Sequence, residues 1–203
     1  GEGVGKTTQV ALLADKLSKL GLPVKVTREP GGDIVGENIR NLLKSFSSKM
    51  DPMSEALLVF AARRDHFIKL VKPMLEKGVF VICDRFYDSS LVYQGILKNV
   101  SLEDIMSLKR MVLGDFEPDL TIILDMDVET SIGRLSTRNL SLDAYDRMQK
   151  EEHEIIRNGF RKIAEIFSFR SVLVDGSSSE AKVFSRIMKA VQSLLLQETE
   201  GRA

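Results

Sequence analysis

Glycine stands at positions 1, 3 and 5, and Lys6, Thr7 and Thr8 come directly after. With Gly5, Lys6 and Thr7 in its last three places, the run fits the phosphate-binding pattern G-x-x-x-x-G-K-[ST], whose first glycine falls just ahead of Gly1. Glycines let a backbone curl with its N–H groups turned inward on a polyphosphate, and the positive end of the next helix strengthens the attraction. Lys6 is placed to bridge β- and γ-phosphates, and the Thr7 hydroxyl to bind Mg2+. The bland alternative is a glycine-rich turn before an amphipathic helix. The run Gly1, Glu2, Gly3, Val4, Gly5, Lys6, Thr7 and Thr8 reads as a nucleoside-triphosphate loop and leaves open what is done with the nucleotide. Glu2 is out of place there: an acid in a phosphate cradle repels the ligand the cradle attracts.

Further along, three arginines stand out by their places in the sequence pattern. Arg28 closes an apolar run, Arg85 comes directly after "VICD", and Arg63 lies in the middle of a long helical stretch. An arginine fork grips phosphate oxygens bidentately, and the carboxyl edge of an open α/β sheet is where such folds bind ligands. Surface ion pairing is the competing account, and it suits Arg64 and Asp65 better. Asp84, at the end of the same run as Arg85, is placed to hold a Mg2+-bound water. Pro30 precedes Gly31 and Gly32, as in a tight turn.

The elements that carry these residues alternate. "PVKVTREP" (23–30), "VFVICD" (79–84), "LTIILDMD" (120–127) and "SVLVDG" (171–176) read as strands covered on both faces. Between them lie helical stretches: one from near Lys6 to a Gly21 cap, one that ends or kinks near Pro73, and one opened by Ser101 and Asp104 as a near capping box and closed at Gly114. This order predicts a doubly wound α/β fold with right-handed crossovers. A phosphate loop is fed by a strand, so a strand is expected before Gly1, and with it a protein longer at its N-terminus. The polar stretch 136–146 breaks the periodicity as a mobile excursion would.

Composition narrows the class. The 203 residues suit a single domain, 1–203, and Lys plus Arg balance Asp plus Glu at 29 each. No global field invites nucleic acid or a membrane surface, no window is long and apolar enough to span a bilayer, and cytoplasm is the default. The one cysteine, Cys83, sits in an apolar run and is expected to be a small packed side chain.

Taken with E-G-V-G-K-T, the stretches "TREPGGDIVGENIR", "LLVFAARRDH", "DRFYDSSLVYQG" and "FEPDLTIILDMDVE" resemble the bacterial thymidylate kinases over nearly the whole chain. The resemblance implies a P-loop nucleoside monophosphate kinase fold: a parallel five-stranded sheet in the order 2-3-1-4-5, its first strand missing here. It implies transfer of a phosphoryl group from Mg-ATP to dTMP, with a homodimer as the common assembly. Arg85 would hold the dTMP phosphate with Arg28 in support, and Arg63 would reach the thymine edge or phosphate. Ser89, Ser90, Tyr93 and Gln94 would meet base and sugar, with Tyr93 crowding a 2′-hydroxyl. Helix capping by the serines and simple packing of Tyr93 are the alternatives. Pro30 would border the nucleoside through a cis peptide, and Glu2 would accept a hydrogen bond from the acceptor's 3′-hydroxyl.

Two departures stand out. The family's thymine-stacking phenylalanine is Val59 here, with Phe60 next to it, so either Phe60 serves through a small helix rotation or the base packs on an aliphatic face. The loop has Val4 and no arginine, so lid arginines are expected between about 134 and 150. Arg138 and Arg147 are assigned to transition-state stabilisation because no other cation is expected near the transferred group, whereas Lys150 reads as solvated. Other nucleoside monophosphate or deoxynucleoside kinases are the nearest alternative, and a P-loop conformational switch is the more distant one.

Overall fold

A computed structural model describes residues 1–136 and 148–200. The left-handed Gly5 (φ 94°) turns the loop into helix α1, Lys6–Lys19, whose apolar face carries Leu13 and Leu17 into the core. Gly21, at φ 79°, releases the chain from the helix end. Strand β1, Val24–Arg28, leads to α2, Ile34–Phe46, which starts where the Asp33 carboxylate accepts the Gly36 N–H at 2.6 Å. Helix α3, Pro52–His66, begins the same way on Asp51, which accepts the Ser54 N–H at 2.9 Å.

The long helical stretch changes its winding just before Pro73 and ends soon after it, as its sequence suggests. It widens into a π turn, Phe67–Val71, and continues as α4, Lys72–Glu76. A proline has no N–H to give, and a locally widened ladder just ahead of it lets the chain keep its direction. Strand β2, Phe80–Asp84, then leads into the short α5, Tyr87–Ser90, and a second π turn, Leu91–Leu97. Helix α6, Leu102–Leu113, is capped as its sequence promises: Ser101 Oγ accepts the Asp104 N–H at 3.0 Å. Strand β3 (Thr121–Asp125), helices α7 (Val128–Ser136) and α8 (Lys150–Ile166), strand β4 (Ser171–Asp175) and α9 (Glu180–Glu200) complete the order.

The four strands run parallel in pairs. β1 lies on β2 with Arg28 opposite Asp84, and β3 lies on β4 with Asp125 opposite Asp175. Among the described residues β2 and β3 share no ladder, so the strands form two parallel ribbons. Apolar packing spans the gap: Val4, Leu13 and Leu17 join Leu124 and Val174 to Val183, Ile187 and Val191 of α9, with Val24, Phe80 and Ile82 against the same cluster. A second cluster, including Phe60, Tyr87, Leu91, Val92, Ile105, Ile156 and Ile163, packs α3, α5, α6 and α8 together. Covering on both faces holds least for β1, where Lys25, Val26 and Arg28 are exposed.

Register brings the carboxyl ends of β1 and β2 to one edge, beside the loop that opens α1. That edge is the ligand-binding side of an open α/β fold.

Candidate active site

The glycine loop is shaped by contact as well as by conformation. Gly3 has φ 70°, and a Cβ there would lie 2.4 Å from the Ser131 carbonyl oxygen on α7. The Val4 side chain is buried in the core, so this residue offers a ligand only its backbone. Lys6 Nζ turns back to the Gly1 carbonyl and lies 3.6 Å from Glu2 Oε2, while Thr7 and Thr8 are exposed at the start of α1. Burial and the neighbouring Arg85 lower the Lys6 pKa, against the pull of Glu2 and Asp84. A polyphosphate would supply the negative charge this cation is short of.

Glu2 belongs to the neighbouring cavity. Its Oε1 accepts from the Arg85 guanidinium and, at 3.1 Å, from the Tyr93 hydroxyl. Burial pushes the Glu2 carboxyl up, but Arg85, Lys6 and the Tyr93 hydroxyl outweigh it and hold it well below the usual carboxylate range. Arg85 sits in the left-handed region at φ 71°, a conformation that a bulky residue adopts only when its surroundings hold it there. Its guanidinium also lies 5.0 Å from the centre of the Tyr93 ring. Burial pushes the Tyr93 phenol well up, so its hydroxyl stays a donor.

A cavity of about 110 Å3 opens here, lined by Glu2, Pro30, Val59, Arg63, Arg85, Ser89, Ser90, Tyr93 and Gln94. These residues, expected from the sequence to meet an acceptor nucleotide, are therefore brought together. The Glu29–Pro30 peptide is cis. Arg63 is buried: its Nε donates to Glu29 Oε2 at 2.7 Å and its NH1 to Ser90 Oγ at 3.1 Å.

Two expected residues are elsewhere. Arg28 is exposed and bonded to Glu37 Oε1 of α2 at 2.9 Å, away from the cavity lining. Glu37 is a ready partner because it also accepts the Gly32 N–H at 3.2 Å. Phe60 is buried under Arg63, with the guanidinium carbon 4.5 Å from its ring centre, and Val59 lines the cavity instead. The helix turns Val59 to the cavity because Phe60 is committed to the core.

Sequence reasoning passed over Glu29, which is 2% exposed and anchors Arg63. His66 Nδ1 lies 2.8 Å from Glu29 Oε1, and its Nε2 lies 2.7 Å from Thr27 Oγ1, so β1 and α3 are tied by a buried polar chain. Gly32 leaves room for it: a Cβ there would lie 2.8 Å from His66 Nε2. A buried arginine needs a carboxylate, and Glu29 beside Pro30 was the available signal. Arg40 and Lys44 of α2 add positive charge to the same lining.

Arg138 and Arg147 lie outside the described residues. A further arginine lies beside the glycine loop. Arg157 of α8 lines a small cavity of about 20 Å3 together with Gly1 and Glu2, and forks onto Asp125 at the end of β3 at 2.8 and 3.1 Å. The i, i+7 spacing from Lys150 along α8 was a weak signal for it. Lys150 itself pairs with Glu129 at 2.5 Å, in keeping with a solvated role. Arg64, expected in a surface ion pair, instead donates to the Val112 carbonyl near the end of α6 at 2.6 Å, while Asp65 pairs with Lys69. Cys83 is half-buried, with its thiol pushed up by burial and by Glu29.

For a divalent cation the relevant atoms are the exposed Thr7 hydroxyl and the Asp84 carboxylate. Asp84 Oδ1 is buried without a hydrogen-bond partner among the described residues. An orphaned anionic oxygen beside a phosphate loop fits a cation or its water shell.

Comparisons with known proteins bear on the family and the fold. The family described as Thymidylate kinase matches residues 1–187. The chain is 43% identical over 208 residues to a thymidylate kinase of Rhodopseudomonas palustris, covering 100% of this chain and 90% of that protein. One from Pseudomonas fluorescens is 42% identical, with 96% and 92% covered. The crystal structure of thymidylate kinase from Ehrlichia chaffeensis superposes with a TM-score of 0.76 at 34% identity, over 95% of this chain and 94% of that one. The chain belongs to the thymidylate kinase family.

Proposed function

We propose that this protein transfers the γ-phosphoryl group of ATP to dTMP, giving dTDP and ADP, within a single kinase domain spanning residues 1–203. The observation that carries the reading is the joining of two anion sites through Glu2, which touches the loop lysine on one side and Arg85 on the other. The loop from Gly1 to Thr8 would take the donor polyphosphate, with Lys6 meeting its negative charge. The neighbouring cavity would take the acceptor, its phosphate against Arg85 and its base between Val59, Arg63 and Gln94. Glu2 and Tyr93 would face the sugar. An oxygen of the acceptor phosphate attacks the γ-phosphorus as ADP leaves, with no covalent enzyme intermediate, so the protein's work is alignment and charge stabilisation. Thr7 and Asp84 would hold Mg2+, which would supply positive charge to offset that of the donor phosphates. Arg138 and Arg147 stay assigned to a lid over the donor, and Arg157 is a third cation for that task.

The five-stranded order 2-3-1-4-5 belongs to the same reading: the edges of β2 and β3 that carry no ladder among the described residues would both pair with one further strand. A homodimer is proposed on exposed apolar side chains of three adjoining helices: Phe46 of α2, Leu57 of α3 and Met111 of α6. The reaction belongs to dTTP biosynthesis, in the cytoplasm where its co-substrates are made.

The test is coupled ADP release with Mg-ATP and a panel of acceptors. A dTMP-dependent rate well above those with UMP, dUMP and deoxynucleosides is expected. Equal or faster turnover of UMP overturns the dTMP assignment, and slow hydrolysis insensitive to every acceptor would instead favour a nucleotide-driven switch.

A further inference from the structure

Behind the cavity wall lies a polar cluster that the proposed chemistry does not use. Glu55, in the first turn of α3, is fully buried. Its Oε2 accepts from Lys98 Nζ at 2.6 Å and from Ser47 Oγ at 2.5 Å. Its Oε1 accepts from Gln94 Nε2 at 2.8 Å. Lys98 Nζ also donates to Ser47 Oγ at 2.9 Å, which fixes the serine as donor to the carboxylate. The cluster therefore has a definite polarity, running from lysine and serine to carboxylate and from carboxamide to carboxylate.

A carboxylate paired with a lysine can only accept hydrogen bonds, whereas a carboxamide has one donor end and one acceptor end. Turning the Gln94 amide over would set its oxygen against Glu55 Oε1 with both groups buried, leaving two acceptors opposed. The amide orientation is thus dictated by the partner. Gln94 is nearly fully buried and lines the acceptor cavity, and its Oε1 has no partner among the described residues. The wall therefore offers an acceptor at that point.

We propose that Glu55 is a positioning residue for acceptor selectivity: with Lys98 and Ser47 it locks the Gln94 carboxamide so that its carbonyl oxygen faces the cavity, selecting a base whose ring nitrogen carries a hydrogen. The imide N3–H of thymine meets that requirement. Cytosine presents a bare N3 lone pair to the same oxygen and is refused, and an N3-methylated thymine has nothing to donate. This inference rests on the cavity being the acceptor site.

The experiment is calorimetric binding of dTMP, dCMP and N3-methyl-dTMP to the whole protein, with dTMP-dependent ADP release measured in parallel. Wild type is expected to bind dTMP about tenfold or more tightly than either analogue, since a buried acceptor left unpaired penalises them. Glu55→Gln can present either amide end to Gln94, so the preference should fall towards parity through KM, with the KM for ATP unchanged. If that variant does not fold, Glu55→Met combined with Lys98→Met removes the ion pair as a unit, an apolar replacement that buried pairs commonly tolerate, and the same loss of preference is expected. Equal binding of dTMP and N3-methyl-dTMP by wild type overturns the inference, as does full wild-type preference in either Glu55 variant. Binding with the expected selectivity but no ADP release would leave the inference standing and remove the kinase reading. Turnover of dTMP with selectivity unmoved by the variants would do the reverse, and no dTMP binding at all would remove both.

Discussion

Arg63 and Arg85 are both arginines in one cavity, but their surroundings give them different sensitivities. Arg63 is held from behind by Glu29, itself shared with His66, so truncation would remove the proposed ligand contact and strand a buried carboxylate. Arg63→Ala is expected to raise the KM for dTMP about tenfold or more and to destabilise the fold by about 3 kcal/mol, with the KM for ATP little changed. Steady-state kinetics and denaturant unfolding read the two effects separately. Acid dependence comes from Glu2. Its folded pKa is depressed below the ordinary 4.5, so its contribution to stability is complete above that value and drains away as pH falls below it. Glu2→Gln should flatten the unfolding free energy between about pH 4.5 and 2 relative to wild type, measured by urea titration at each pH. An unchanged slope would mean that the Arg85 pairing does not hold in solution.

Elements decide which of these side chains meet. Gly3→Ala would drive a Cβ into the Ser131 carbonyl and force a left-handed alanine. A loss of about 2 kcal/mol or more and weakened ATP binding are expected, read by thermal unfolding and nucleotide titration. The second π turn offers a sharper test. Leu91–Leu97 carries Tyr93 and Gln94, and deleting one residue from it would restore the α ladder and rotate the downstream chain by about 100°. Such a deletion should abolish dTMP binding while leaving helix content by circular dichroism near wild type. The same turns explain what was hidden in the sequence. Strand positions, the Ser101 cap and the loop glycines are written in local residue types and spacing. Whether Val59 or Phe60 faces the ligand is not, because it depends on helix phase, and phase was settled by Phe60 entering the core. Arg28 misled for a related reason. Its place at a strand end suggested ligand contact, but Glu37, one helix turn into α2, captures it.

At the scale of the whole molecule, the fold class was legible because alternating apolar strands and capped helices leave few other architectures. The lateral order of the ribbons was not, since sequence says little about which strand edges meet. Glu29 stayed hidden because its worth lies in partners 34 and 37 residues away, on a different element. The lid assignment belongs to this scale as well. Arg138→Ala, Arg147→Ala and Arg157→Ala should each lower kcat about tenfold or more with little change in the KM for dTMP, if all three face the transferred group. Single-turnover rates would rank them, and a wild-type rate in any one would remove that residue from the catalytic set. Glu2 bonds to Arg85 and Tyr93, 83 and 91 positions further along the chain. A nucleotide seated across that junction, as proposed, would clamp Glu2 to the middle of the chain and shift the unfolding equilibrium by about 2.7 kcal/mol at a hundredfold excess over its Kd. Substrate supply then governs survival as well as flux: a cell starved of dTMP would lose this protein faster to its proteases, and one making DNA would keep it.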